Sequence, residues 1–512
     1  MASRKWIGSA CLAAGLLLGF QSNALAYDKP AYDNQVRVSL GSASSLPFKL
    51  ESLFELENLS SGEKTLLVPG VYLTAAASGT VTTITAGNDS YQSSAGFRIS
   101  EVQNASPKYA KFTSATGVYK GASTTGYEKI STMKKAEAAE YLSSFTDSSG
   151  TVWYNIQLAG GSKGWVSSAS TLLADAPSSL SLFSYKQSGK SKTSSFKGTA
   201  EIKSSGGKAT LYNLLGMEDY VKGVIPNEMA TGWPTEALKA QAIVARSYAE
   251  ASKSVSSTPS SQVYNGYTSE AKDTNAAVDA TKGQVVQYNG KTIQAFFFST
   301  SGGRTANIGE VWNSTQVPYL VSVSDPYEES RLASWTEEFR SSALIKSFGL
   351  PAGTALYSIK ANAKGANGEV GSVTLITSAG TVTKAGNESV IRHLFPTTSN
   401  SYGYLMSNWF TLTAQPSITV QGAGSTQNQY SIKGASVMTA SGETTVSDAS
   451  VQVQTTSGTV SQESDPASIT VDGKGWGHRI GMSQYGAKGY ANHGYTAEQI
   501  IAHYYPGTTI RK

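Results

Sequence analysis

"IPNEMATGWPTEALKAQAIVARSY" (residues 225–248) decides how the C-terminal two-thirds of the chain is read. Pro234 suits the first turn of a helix, and Glu236 suits the positive end of that helix. Ala237, Leu238, Ala242, Ala245, Tyr248 and Ala249 then recur near the helical period. Their small size predicts close packing against a neighbour rather than a bulky apolar ridge. Lys239, Ile243 and Arg246 fall on another face, at spacings of four and three. Just before this helix stands one carboxylate, Glu228. Residue physics leaves two readings open. An acid near a helix start gains about 0.3–1 kcal/mol from the dipole. A catalytic acid would need a raised pKa, which the apolar flank of Ile225, Pro226 and Met229 could supply by desolvation.

Working outward, 512 residues imply about three domains. Charged residues make up 15% and hydrophobic residues 39%, with 50 glycines, which favours β-rich domains with polar loops. The formal charge is +5, or +3 without Arg4 and Lys5. No dense basic cluster with interleaved aromatics exists, so nucleic acid is not an expected partner. Arg4, Lys5, the apolar run of residues 6–20 and "ALA" at 24–26 read as an export signal over 1–26. No later run is long enough to span a bilayer. The single cysteine, Cys11, lies inside that signal. A processed chain would therefore have no disulfide, no cysteine nucleophile and no thiolate metal site.

Residues 27–110 alternate in short stretches such as "QVRVSL" and "TVTTIT" and predict antiparallel β structure. "SLFELENL" (52–59) has the look of a short helical turn. Residues 111–176 form a second small unit, in which "MKKAEAAEYLSSF" (133–145) has helical composition. Aromatic strands flank a Gly-Gly-Ser-Lys-Gly turn there (152–170), and this pairing resembles SH3-like or SPOR-like wall-binding modules. A Ser/Lys/Gly-rich linker, 184–200, precedes a strand, Gly-Gly turn and strand at 196–215. "MEDYVKGVIP" (217–226) only leads into the opening stretch. A hairpin turns at Asn289-Gly290 and runs into an apolar strand, Ala295–Phe298. Residues 415–470, rich in Ser, Thr, Gln and Val, predict an inserted β lobe.

The second dense region is "GKGWGHRIGMSQYGAKGYA" (473–491). Its glycines let backbone amides approach a ligand or a strand closely. The order required for a phosphate loop is absent, as is GxSxG. His478, His493 and His503 match no zinc spacing. Ser483, Gln484 and Tyr485 offer hydroxyl, amide and ring, the groups that bind sugars, although a helix cap with a core Tyr explains them equally well.

Three long blocks, 218–249, 296–327 and 473–508, resemble the SpoIID/LytB family in content, order and spacing, over about 180–512. The resemblance implies an α+β, β-rich domain with the β lobe as an insertion, preceded by small β-rich N-terminal modules. It implies a secreted, wall-associated protein of Gram-positive bacteria that acts on peptidoglycan glycan strands. SpoIID-type members are lytic transglycosylases whose acid falls on Glu228. LytB-type members enhance an autolytic amidase. The substrate-binding set implied is Ser483, Gln484, Tyr485 and His478, with Lys239 or Arg246 orienting the carboxylate or acetamido groups. Some members bind zinc through a Cys and a His in the loop that here reads "STSGGRT" (299–305). Ser301 and Arg304 replace them, so no metal and no other cofactor is expected.

Overall fold

The computed structural model describes residues 35–102, 107–177, 180–252, 254–415, 417–421, 427–431, 436–446, 450–455, 458–463 and 468–512. The segment read as an export signal, with Cys11, lies outside them. Compactness divides the chain into two units. Among the described residues, one comprises 35–227 together with 252–282; the other comprises 228–251 and 283–512. The fold is α+β and β-rich, as expected.

In the first unit the strands at Phe54–Asn58, Lys64–Leu67, Phe97–Glu101, Glu137–Thr146, Thr199–Ser205, Lys208–Gly216 and Gln35–Ala43 belong to one continuous sheet. Non-local pairing joins segments the sequence separates. Glu137 pairs with Leu67, and Ala200 with Ile99. The expected hairpin at 196–215 forms with Gly206 and Gly207 at positive φ, and it belongs to this sheet rather than to the unit that holds Glu228. A second sheet holds Ser45–Leu50, Tyr72–Ser78 and Val81–Ala86. Two expectations of helix are corrected here. "SLFELENL" contains the strand Phe54–Asn58, whose alternating burial fixes its inward face. Residues 137–146 of the Ala/Glu segment are a strand with three partners: Leu66–Leu67, Tyr109–Lys111 and, over 140–146, the following strand Val152–Gln157. Buried pairing on both sides of Ala138 and Ala139 outweighs a helix propensity of tenths of a kcal/mol per residue. Helix α1 (Met217–Glu228) was not anticipated as a helix; Glu218 and Asp219 sit in its first turn. It carries the chain out of the first unit.

The second unit begins at Glu228. Helix α2 (Thr235–Ala251) forms where expected and buries Ala237, Leu238, Ala240, Ala242, Ile243, Val244 and Ala245. Helix α3 (Lys272–Ala280) belongs to the first unit, and the second continues with α4 (Ile308–Val311), α5 (Ser341–Ser347), α6 (Glu388–His393), α7 (Gln484–Asn492) and α8 (Ala497–Tyr504). Helix α2 packs against α7 and α8. Its alanines let the backbones approach closely, as the sequence implied. The Asn289-Gly290 turn closes its hairpin with both residues at positive φ, as two-residue hairpin turns require. Of the apolar run 295–298, only Phe297–Phe298 pairs as strand, in parallel with Met482–Ser483, and it is fully buried. That short pairing brings the second and third sequence blocks together. A separate apolar core gathers Trp335, Phe339, Leu344, Phe395, Phe410 and Val471. The strands Phe410–Gln415 and Ser468–Lys474 pair with each other, so the chain between them leaves and returns at adjacent positions. The described strands of that lobe are antiparallel hairpins, such as Val451 opposite Gln462.

Candidate active site

Glu228 is the last residue of α1, not a cap on α2. The chain then turns through Met229–Trp233, with Gly232 at φ 82°, a conformation that glycine adopts without a Cβ penalty. This turn sets Trp233 before Pro234, which occupies the start of α2, where its carbonyl accepts from Ala237 and Leu238. Glu236 uses one oxygen on Lys239 at 2.8 Å and the other on the backbone N–H of Ala497 at 2.8 Å. It therefore serves the exposed first turn of α8, whose free N–H groups favour an anion.

Glu228 is 6% exposed. Its Oε2 accepts from Gln484 Nε2 at 3.4 Å, a contact between residues 256 positions apart in sequence. Gln484 opens α7. Ser483 caps that helix by accepting from Gly486 N–H at 3.0 Å. The next side chain, Tyr485, meets Trp233 edge to face at 5.0 Å between centroids. Both rings are half-buried. Lys488, one turn along, lies over the Trp233 ring at 5.7 Å and within 3.4 Å of Glu329. The result is a buried carboxylate beside an amide, with two partly exposed rings and an ammonium nearby. Such a set can protonate an oxygen, orient an amide or hydroxyl, and stack against a sugar face.

Against α7 lies an acidic pair, Asp325 buried and Glu328 partly buried. Glu328 accepts from the N–H groups of Ser301 and Gly302 and from Ser483 Oγ, the last two at 2.8 and 3.0 Å. Burial and the neighbouring Asp325 push the Glu328 carboxyl above its usual range. Asp325 accepts from the Tyr504 hydroxyl at 2.8 Å, and burial raises it likewise. The 299–305 loop is held from its other side by Arg479. That guanidinium is fully buried, donates to the carbonyls of Ser301 and Arg304 at 2.9 Å each and to Glu369 at 3.0 Å, and lies over Trp409. Burial lowers it to about 10, so it remains a cation at neutral pH.

Other residues singled out from sequence stand elsewhere. His478 is 1% exposed. Its Nδ1 accepts from Ile480 N–H at 3.0 Å, and its ring packs among Phe296, Phe298 and Trp312. Burial, reinforced by the charge of Arg392, depresses it to about 3. It is a neutral core residue, which corrects the expectation that it touches substrate. Arg246 is 1% exposed and donates to the carbonyls of Ala242 and Gln284. This places it inside the packing of α2, not on a ligand-facing surface. Lys239 is spent on Glu236 within its own helix. His493 stacks on Tyr327, and His503 meets Tyr490 and the Ser324 carbonyl. The sequence reading missed Trp233, Glu328 and Lys488. An aromatic between glycine and proline was the available signal for Trp233. The other two carry no local signal, because their partners lie far away in sequence.

A family model described as "SpoIID: Stage II sporulation protein" matches residues 205–288. The amidase enhancer of Bacillus subtilis is 33% identical over 305 residues, covering 57% of this chain and 40% of that protein. Stage II sporulation protein D of the same organism is 28% identical over 318 residues, covering 57% of this chain and 74% of its own length. These likenesses, over 57% of the chain, support the SpoIID/LytB family. The chain spans less than half the length of the amidase enhancer, and 36% of an uncharacterised Brachyspira hyodysenteriae protein that is 41% identical over 133 residues. Within the SpoIID/LytB family some members are expected to hold zinc at the 299–305 loop. The residues here do not fit that ion. Ser301 Oγ accepts from Gly303 N–H, Arg304 reaches out to Asn367, and the Arg479 cation already occupies the carbonyls beneath. Among the described residues no group of three His, Cys, Asp or Glu side chains is placed to hold a metal.

Proposed function

We propose that the second unit acts on peptidoglycan glycan strands, as a lytic transglycosylase-like enzyme with Glu228 as its acid and base. The observation that carries this reading is the meeting of Glu228 and Gln484 beside the half-buried pair Trp233 and Tyr485. A glycan chain offers a glycosidic oxygen to the acid, acetamido and hydroxyl groups to the amide, and sugar faces to the rings. Glu228 gives its proton to the bridging oxygen as the MurNAc C1–O bond breaks, and the GlcNAc end leaves with a hydroxyl. The MurNAc 6-hydroxyl attacks C1, and its proton returns to Glu228, leaving a 1,6-anhydro ring. A single carboxylate is enough, because the nucleophile is the sugar's own hydroxyl rather than water or a second acid. Gln484 holds the carboxylate in place, and Tyr485 and Trp233 bound the sugar. Ser483 acts through α7 rather than on the ligand. Under this reading the protein is exported and works at the Gram-positive cell wall. Among the described residues no helix is long and apolar enough to cross a membrane.

The amidase-enhancer relative favours a second reading, in which the same surface binds glycan strands and stimulates an autolytic amidase without cutting. Peptide-free strands, incubated with purified protein and analysed by mass spectrometry, separate the two. Anhydro products that disappear with Glu228→Gln support the first. Amidase stimulation that survives Glu228→Gln, with no anhydro product from either protein, supports the second.

A further inference from the structure

We propose that Glu328 is a positioning residue, which fixes the start of α7 and thereby holds the Gln484 amide against Glu228; this rests on the reading of Glu228 as the acid. Three donors converge on its carboxylate, namely Ser301 N–H, Gly302 N–H and Ser483 Oγ. Ser483 is the cap of α7, and Gln484 is the next residue. The carboxylate therefore ties the 299–305 loop to the one backbone position from which the amide reaches the acid. The rest of the 325–328 segment forms a seat for the same helix. A Cβ at Gly486 would overlap the Asp325 carboxylate and the Tyr504 hydroxyl, and one at Gly489 would overlap the Tyr327 carbonyl. With α7 seated this closely, the hydrogen bonds at Ser483 decide where its first turn points. A neutral amide at position 328 cannot replace the carboxylate. Its NH2 would face one of two backbone N–H donors, and a buried donor would lose its acceptor.

The test is a double-mutant cycle on turnover of peptide-free glycan by the full chain, using Glu328→Gln, Gln484→Ala and the double variant. The account expects each single change to lower kcat about tenfold with KM within about twofold, and the double to lower it about tenfold rather than a hundredfold. Glu328→Asp, which keeps the charge but is one methylene short of the three donors and leaves the Ser483 cap on Gly486 N–H in place, should couple to Gln484→Ala in the same way, and it serves if Glu328→Gln does not fold. Additive losses, or a KM rise with kcat unchanged, would overturn the proposal. A wild-type protein that releases no product would instead remove the acid reading. The crystal structure of Glu328→Gln or Glu328→Asp then decides the positioning claim alone. Gln484 displaced from Glu228 supports it, and the contact retained near the wild-type 3.4 Å contradicts it.

Discussion

At the scale of single residues, Glu228, Gln484 and Trp233 carry different parts of the account. Glu228→Gln keeps the shape and the contact to position 484 but removes the transferable proton. Product release should fall by at least about 10²-fold, with glycan binding retained, in a paired turnover and calorimetry measurement. Trp233 offers a half-buried ring beside Tyr485. Trp233→Ala should weaken glycan binding by about 2 kcal/mol, roughly thirtyfold, while thermal stability stays near wild type. A collapse of stability with unchanged affinity would make Trp233 a packing residue instead. His478 is the residue that sequence placed in the wrong role. Its setting among "GWGHRIG" looks like a ligand loop, yet its ring is buried among aromatics. Its pKa falls from 6.5 to about 3 on folding. The unfolded chain therefore takes up a proton that the folded chain refuses. The stabilisation is fully present above pH 6.5 and is lost as the pH falls towards 3, with a total on the order of 5 kcal/mol. His478→Asn keeps an acceptor for Ile480 N–H and removes the titration. Its melting temperature should fall less steeply than wild type between pH 6 and 4. Parallel slopes would contradict the assignment.

At the scale of elements, α7 shows what one helix is asked to do. Ser483, Gly486 and Gly489 lie towards the 325–328 segment, while Gln484 and Tyr485 reach Glu228 and Trp233. Gly486→Ala should cost about 1–3 kcal/mol by overpacking. A shift of about 2–4 °C per kcal/mol follows for a unit of this size. Because the helix must lift from its seat, turnover should drop more than glycan affinity, and calorimetry together with kinetics checks both. The 325–328 seat titrates in the opposite sense to His478. The carboxyls of Asp325 and Glu328 are raised from 3.8 and 4.5. They favour the folded state below their unfolded values and lose that contribution as the pH rises through the folded ones. The acid-side slope of the wild type is thus a difference between these groups and His478, which is why the His478→Asn comparison isolates one term.

At the scale of the whole molecule, legibility followed locality. Helix α2, the hairpin at Asn289-Gly290 and the Gly206-Gly207 turn were readable because their signals lie within a few residues. The Ala/Glu segment at 137–146 misled because its largely buried start, 137–140, is set by partners near residues 67 and 110, while its exposed end pairs with 152–157. The limits of the compact units were hidden for the same reason, since sheet pairing ignores sequence distance. The resemblance supplied Glu228, Gln484 and Tyr485 as a group, but not Trp233 or Glu328, whose roles depend on a turn at Gly232 and on three donors from two other segments. The central claim remains that Glu228 transfers the proton. Mass spectrometry of peptide-free glycan strands incubated with the wild-type chain and with Glu228→Gln tests it most directly. The account predicts 1,6-anhydro-terminated fragments from the wild type and none from the variant. Equal release from both, or none from either, would contradict it.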